Sequence, residues 1–413
     1  MPIVVDERIA EWEGQVREAE RPIAPLCIAM VAACPFPYPR GTPIRIFRMA
    51  EALALRGHDV HVVTYHLGEE VGETPVRVHR IPHVPAYRRF APGPTYGKLL
   101  VLDPLLWQAL RRVLRQHHFD VIHAHHYEGL LVAHAARRPG GPPVIYDAHT
   151  LLGTELPHYR LGLGKRVLGR IGAWLDRTLP GRAEHVITVT RTLRDRLVAS
   201  GAVPEDRITV AENGVEFSLF EGPPPPRSTE WKTVIFSGNL APYQGVEHLL
   251  RAFQIVLRQR QDVRLRIVTE DEPTSAEDLA QALGIREHVD ITRIGFDGVP
   301  AHLRAADVAV NPRVQCDGVP QKLMNYMAAG CPIVSFPGSA AHLRHGVTGW
   351  IVESADPAAL ANGVLHLLDT PELARDLGRA AREAARRDFS WERTAEKVEN
   401  VYRRMLRTKH ARG

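Results

Sequence analysis

Little in this sequence can build a disulfide frame or a zinc ribbon. Its 413 residues include four cysteines, Cys27, Cys34, Cys316 and Cys331, and no two of them form a C-x-x-C pair. Such usage fits a reducing compartment, so the expected location is the cytoplasm. Long apolar runs are missing too. No stretch approaches the roughly 20 apolar residues that a membrane span needs. The opening MPIVVDERIAEWEGQVREAERP is too acidic, and its apolar run too short, for a signal peptide. Charge of one sign is scarce: the net charge is +5 and the isoelectric point about 9.1. That is a mild lean towards anionic partners such as nucleotides or acidic lipid. No nucleic-acid-binding motif is present.

What remains is 45% hydrophobic and 24% charged. At this length the composition predicts a soluble globular protein of two domains. Residues 6–20 read as a helix. LCIAMVAAC (26–34) reads as a buried strand, followed by the turn-rich PFPYPRGTPIR, a helix, and the strand DVHVVTY (59–65). A strand, a Gly-bearing loop and a helix open a nucleotide-type fold. Arg40 and Gly41 sit in that loop, and Arg45, one turn into the helix, is placed to reach an anion. VRVHRIP (76–82) reads as a further strand, and residues 86–97 as an aromatic, Pro- and Gly-rich flap.

FDVIHAHHYEG (119–129) closes another strand. Period two puts His123 and His125 on one side of it, but no carboxylate stands at a clear ligand spacing, so no metal site is expected. VIYDAH ends on His149. The carboxyl ends of parallel strands are where open sheets hold ligands. Asp147, two residues earlier, is placed to face the same side and orient the ring. Residues 161–182 form a basic helix in which Leu163, Val167, Ile171, Trp174 and Leu175 alternate with Lys165, Arg166, Arg170 and Arg177. Such a helix suits either packing on its own sheet or lying on an acidic membrane. RITVAENGVEFSLF (207–220) begins as a strand, and EGPPPPRSTE (221–230) is a stiff linker.

A second nucleotide-type opening follows in KTVIFSGNLAPYQGVEHLLRAF (232–253). Later comes DGVPQKLMNYMAAGCPIVSF (317–336). Pro320 suits a first helical turn, Gly330 a left-handed cap, and Ile333, Val334 and Phe336 a buried strand. Leu323, Met324, Met327 and Ala328 share an apolar face, with Lys322 and Asn325 on the other side. The loop-to-helix junction is a natural anion site.

This last stretch resembles the donor-sugar loop of family-4 glycosyltransferases, and the likeness runs in order from residue 25 nearly to the end. The resemblance implies an α/β GT-B fold: two facing Rossmann-like domains with a C-terminal helix crossing back. The expected division is 1–218 with 390–413, against 219–389. It implies transfer of a sugar, with retention and without a metal or other cofactor, from a nucleotide-sugar donor to a glycan, lipid-linked or small-molecule acceptor. His149 and Asp317 take the places at the transferred sugar. Arg40, Gly41, Gly238, Arg313 and Lys322 face the phosphates, and Asn325 the ribose. Three positions depart from the pattern: Asn239 and Gln244 stand where the family has two phosphate-gripping cations, and Asn325 where it has a carboxylate. The alternatives are a sugar-nucleotide 2-epimerase of the same architecture and a non-catalytic sugar-nucleotide-binding partner. Peripheral contact with the inner face of a membrane is the remaining partner expectation.

Overall fold

The computed structural model describes residues 24–38, 41–69, 72–88, 95–159, 164–223, 225–226, 228–295, 298–316 and 321–410. The helix expected over 6–20, together with Arg40, Phe296, Asp317 and Pro320, lies outside the described residues.

Two parallel sheets carry the fold. The first holds β1 (Cys27–Ala32), β2 (Asp59–Thr64), β3 (Arg77–Arg80), β4 (Val121–His125), β5 (Val144–Ala148), β6 (His185–Thr188) and β7 (Ile208–Val210) in the order β3-β2-β1-β4-β5-β6-β7. The second holds β8 (Lys232–Ser237), β9 (Val263–Thr269), β10 (Val289–Arg293), β11 (Val308–Asn311), β12 (Ile333–Ser335) and β13 (Trp350–Ile351) in the order β10-β9-β8-β11-β12-β13. Helices cover both faces of each sheet. That is why strands such as CIAMVA read as continuous apolar runs rather than alternating ones. In β1 the alternate residues Ala29 and Val31 enter one core, and Ile28, Met30 and Ala32 the other. In β8, Val234 and Phe236 enter one core and Ile235 the other.

The run 207–220 is strand only over Ile208–Val210 and turns helical at Phe217–Phe220. Between these, Val215 N–H donates to Phe389 O at 2.7 Å. A Cβ on Gly214 would come within 2.5 Å of the Trp391 ring. The chain's two passages between domains therefore lock against each other. The helix Trp391–His410 then returns to the first domain, where Ala395, Val398, Val401 and Tyr402 share a core with Met30, Met49 and Leu53.

Candidate active site

In each sheet the strand order reverses between two central strands, β1 and β4 in the first, β8 and β11 in the second. Chains leaving neighbouring strands in opposite directions open a crevice at their carboxyl ends, and open α/β sheets bind ligands there. The site residues sit on these ends.

On the first domain, Gly41 caps the helix Thr42–Leu55 with φ +64°, a conformation that suits glycine. Thr42 Oγ1 lies 3.3 Å from His149 Nδ1, just past β5. His149 Nε2 is 3.4 Å from His125 Nδ1, at the end of β4, and its ring stacks on His126 at 4.6 Å. Gly41, Thr42 and three histidines thus converge at one strand-end crevice. The ring of His149 is not free-standing, because its side chain is only 6% exposed. Burial, reinforced by the neighbouring His126 and Arg45, holds its pKa well below the usual histidine range. A neutral imidazole donates from one nitrogen and accepts at the other.

Beneath this layer lies an ion pair that revises two expectations. The anion that Arg45 meets is not a ligand but the protein's own Asp147. Arg45 is buried, and its guanidinium holds Asp147 through Nη2–Oδ2 at 3.0 Å and Nε–Oδ2 at 3.3 Å. It also donates to Asn213 Oδ1 at 2.9 Å and Ala211 O at 2.8 Å. The histidines of β4 also have a carboxylate after all. Asp147 Oδ2 lies 3.5 Å from His123 Nε2 and 3.7 Å from His125 Nδ1, brought there by the β4–β5 register rather than by chain spacing. Burial alone would push the Asp147 carboxyl up. Arg45, the His123 hydrogen bond and the imidazole of His125 outweigh it and hold it well below the carboxylate range. The positive partner of this cluster is Arg45. Asp147 stands 3.7 Å from His149 Nε2 and, as expected, on its side.

On the second domain, Gly238 follows β8 at φ +141°. Gly245 adopts φ +77° before the helix Val246–Gln259, and a Cβ there would strike Pro312 O at 2.0 Å. The helix Gln321–Ala329, capped by Gly330 at φ +71°, buries Leu323, Met324, Met327 and Ala328 as the periodicity predicts. Its other side is not solvent. Lys322 Nζ sits 4.0 Å above the Phe236 ring and 3.3 Å from where a Gly238 Cβ would stand. The ammonium is buried and has no hydrogen-bond partner among the described residues. Burial, with Arg313 nearby, lowers its pKa to about 7. Asn325, one turn on, is buried.

Arg313 stacks over Tyr243 at 5.0 Å and donates to Gln315 O. Gln244 is buried, with Oε1 unpartnered among the described residues. Asn239 instead closes on its own loop through Tyr243 OH and Ala241 N–H. The structure therefore brings Gly238, Gln244, Arg313, Lys322 and Asn325 around the mouth of β8 and β11. A cavity of about 380 Å³ lies between the domains, with Thr190, Arg191 and Glu212 on one side and Cys316, His342 and Arg344 on the other.

Two family profiles match: Glycosyltransferase Family 4 over residues 39–219 and Glycosyl transferases group 1 over residues 231–370. The chain belongs to the family-4 glycosyltransferases. This glycosyltransferase is 27% identical over 404 residues to the D-inositol 3-phosphate glycosyltransferase of Thermobispora bispora, covering 90% of this chain and 91% of the relative. Its fold matches sucrose-phosphate synthase from Thermosynechococcus elongatus with a TM-score of 0.72 at 19% identity, over 93% of this chain and 100% of the other. It also matches HepE of Anabaena, solved in complex with UDP and glucose, with a TM-score of 0.67 at 17% identity, over 91% and 99%. Two facing Rossmann-like domains and a returning C-terminal helix are thus the GT-B arrangement. Asn213, the first residue of the Asn-Gly-Val run, accepts from Arg45, and Tyr243, which no local motif marks, lies under Arg313.

Proposed function

We propose that this glycosyltransferase moves a hexosyl unit from a nucleotide-diphosphate sugar to a hydroxyl of a glycan, lipid-linked or small-molecule acceptor, with retention and without a metal ion. The observation that carries the reading is Lys322, a buried ammonium at the glycine turn after β8 with no hydrogen-bond partner among the described residues. A buried charge without a partner is costly, so the site favours an anion that completes it. A diphosphate supplies that anion. The charge missing at Asn239 and Gln244 is then delivered from the helix behind the loop, with Arg313 beside it. Asn325 holds the ribose through neutral hydrogen bonds. Arg40 and Gly41 meet the phosphates from the facing domain. Asp317 contacts the sugar hydroxyls by side chain or adjacent backbone, and His149 stands at the transferred sugar. The crystallised HepE complex, which holds UDP and glucose, supports this donor class.

Incubation with a panel of nucleotide sugars and candidate acceptors tests it. Transfer or slow donor hydrolysis supports the reading. Inversion at C2 of the sugar would make the protein an epimerase, and binding without turnover a non-catalytic partner.

Lys322 itself makes a sharper test. Lys322→Ala should weaken donor binding about ten- to a hundredfold, the range of a charge-assisted contact. With a free-state pKa lowered to about 7, the side chain must be protonated to hold the phosphates. A bound diphosphate raises that pKa, so binding takes up a proton. Wild-type affinity therefore falls as pH rises above about 7, and the Ala variant lacks that slope. Calorimetry across pH 6–9 reads both, and a slope unchanged by the substitution would refute the role.

We also propose peripheral contact with acidic membranes through the helix Lys165–Thr178. It packs on its own domain through Leu168 and through Asp176, whose carboxylate accepts from Leu152 and Gly153 N–H. Its other side leaves Val167, Ile171 and Trp174 exposed, Trp174 at 61%, among Lys165, Arg166 and Arg170. Among the described residues no helix is long and apolar enough to cross a membrane. Trp174→Ala should lower sedimentation with anionic vesicles about tenfold, the value of one buried large apolar side chain. Equal binding of wild type and variant would count against this surface.

A further inference from the structure

At the opposite end of the first sheet from the cleft, a second group of chemistry-bearing side chains meets. Cys27 opens β1 and Asp59 opens β2, paired in register, with His61 two residues on and so on the same face. The next strand places Arg77 beside His61 and His79 beside Val63. Cys27 Sγ lies 4.0 Å from Asp59 Oδ2, and Asp59 Oδ1 lies 3.3 Å from His61 Nε2. The three ligand atoms all fall within 4.8 Å of one another. A tetrahedral ion with bonds of about 2.0–2.3 Å needs neighbouring ligand atoms roughly 3.3–3.8 Å apart, so small side-chain movements suffice.

We propose that Cys27, Asp59 and His61 form a zinc site, remote from the cleft and separate from sugar transfer. Two observations beyond the grouping support it. His61 is fully buried, and its Nδ1 lies 3.0 Å from His79 Nε2, which fixes the ring so that Nε2 faces Asp59 and Cys27. A metal-binding imidazole is held in this way, through its second nitrogen. A cation already occupies the spot: Arg77 Nη1 stands 3.4 Å from both Asp59 Oδ2 and His61 Nε2. Its side chain is 59% exposed on the outermost strand and can swing clear. The cluster at Asp147 differs here, because its arginine is buried and held by four acceptor atoms. Sulfur, nitrogen and oxygen donors together suit zinc better than magnesium or calcium. Three protein ligands leave a fourth position for water or for His117, whose ring lies 4.7 Å from that of His61. Binding displaces the Cys27 thiol proton to solvent. His61 stays neutral, with its proton on Nδ1 against His79.

The test uses tag-free full-length protein, stripped with chelator, and zinc ion alone in competition with a chromophoric chelator. Cobalt(II) replaces zinc to report thiolate ligation by its charge-transfer absorption. One equivalent should bind with release of about one proton near neutral pH. Cys27→Ser should abolish the thiolate band, and Asp59→Asn should weaken binding at least tenfold. His79→Gln, which removes the hydrogen bond and the ring that support His61, should weaken it about ten- to a hundredfold. Arg77→Ala should bind as tightly as wild type or tighter. Cys27→Ser is nearly isosteric and Asp59 is partly exposed, so both variants should fold, which circular dichroism checks. No stoichiometric binding, or binding undiminished in both Cys27→Ser and Asp59→Asn, overturns the site. Donor affinity in Cys27→Ser should equal wild type, and a loss there would overturn its separateness from transfer.

Discussion

Asp147→Ala should destabilise the first domain by about 3 to 5 kcal/mol, the range for removing one partner of a buried ion pair. Arg45 and Asp147 are 2% and 0% exposed, and their contact joins the first helix to β5. Truncating the carboxylate strands a guanidinium that cannot deprotonate. Arg45→Met should cost a similar amount, since it strands the carboxylate. Replacing both, Arg45→Met with Asp147→Leu, should recover most of the loss, because a well-packed apolar pair can equal a buried ionic one. A cycle of thermal or urea unfolding measures the coupling, and a single-variant cost below about 1 kcal/mol would show the pair to be incidental.

The pH dependence has a definite sign. Asp147 has a folded pKa below its unfolded value, so its contribution is present above about pH 3.9 and is lost as pH falls through the folded value. His125, His126 and His149 are held neutral by burial, with folded pKa values below 6.5. The unfolded chain binds more protons there, so stability should begin to fall as pH drops below about 6.5, well before the carboxylate titrates. Asp147→Asn, which still strands Arg45, should be less stable than wild type at neutral pH and should lose the component below pH 3.9.

The parts of this fold that were legible in sequence are those with local grammar. Strand–loop–helix openings at 26–55 and 232–253, the Gly330 cap and the apolar face of the 321–329 helix each lie within a few residues and obey one periodicity. His149 and Lys322 can be singled out because a strand end and a helix start are themselves local features. What sequence could not show is what the register decides. Arg45 and Asp147 are 102 residues apart and Cys27 and Asp59 are 32 apart, so neither pairing leaves a spacing to read. Lys322 looked like a polar-face residue because helical periodicity names faces without saying what covers them. Here the cover is Phe236 and the Gly238 turn. The same limit applies to His149, whose place at a strand end says nothing of what covers the ring. Its strand-end position is as read, but His126, at φ +60°, brings its ring across and covers it.

That burial sharpens what His149→Ala should do. His125 Nδ1 lies 3.4 Å from His149 Nε2, and in the tautomer where His125 donates there, the proton of His149 sits on Nδ1 and points at Thr42 Oγ1. A sugar hydroxyl entering the crevice can exchange with Thr42 for that proton, giving a hydrogen bond that strengthens as charge develops in transfer. Its loss should raise the barrier by about 2 to 4 kcal/mol, a fall in turnover of roughly a hundredfold or more, with donor affinity nearly unchanged. The Ala variant also leaves a gap between Thr42, His125 and His126, so a lowered Tm is expected alongside, and turnover must be compared below both transitions. His149→Gln refills most of that volume and keeps a donor and an acceptor, so it should recover stability and only part of the rate. Because the ring is neutral throughout the working range, the wild-type rate should show no ionisation near pH 6.5 that disappears in His149→Gln. A His149→Ala enzyme that turns over normally when folded would leave this histidine a packing residue of the crevice floor. A rate profile with a pKa near 6.5 that vanishes in the Gln variant would show that the ring ionises and is open to water, contrary to the packed layer seen here.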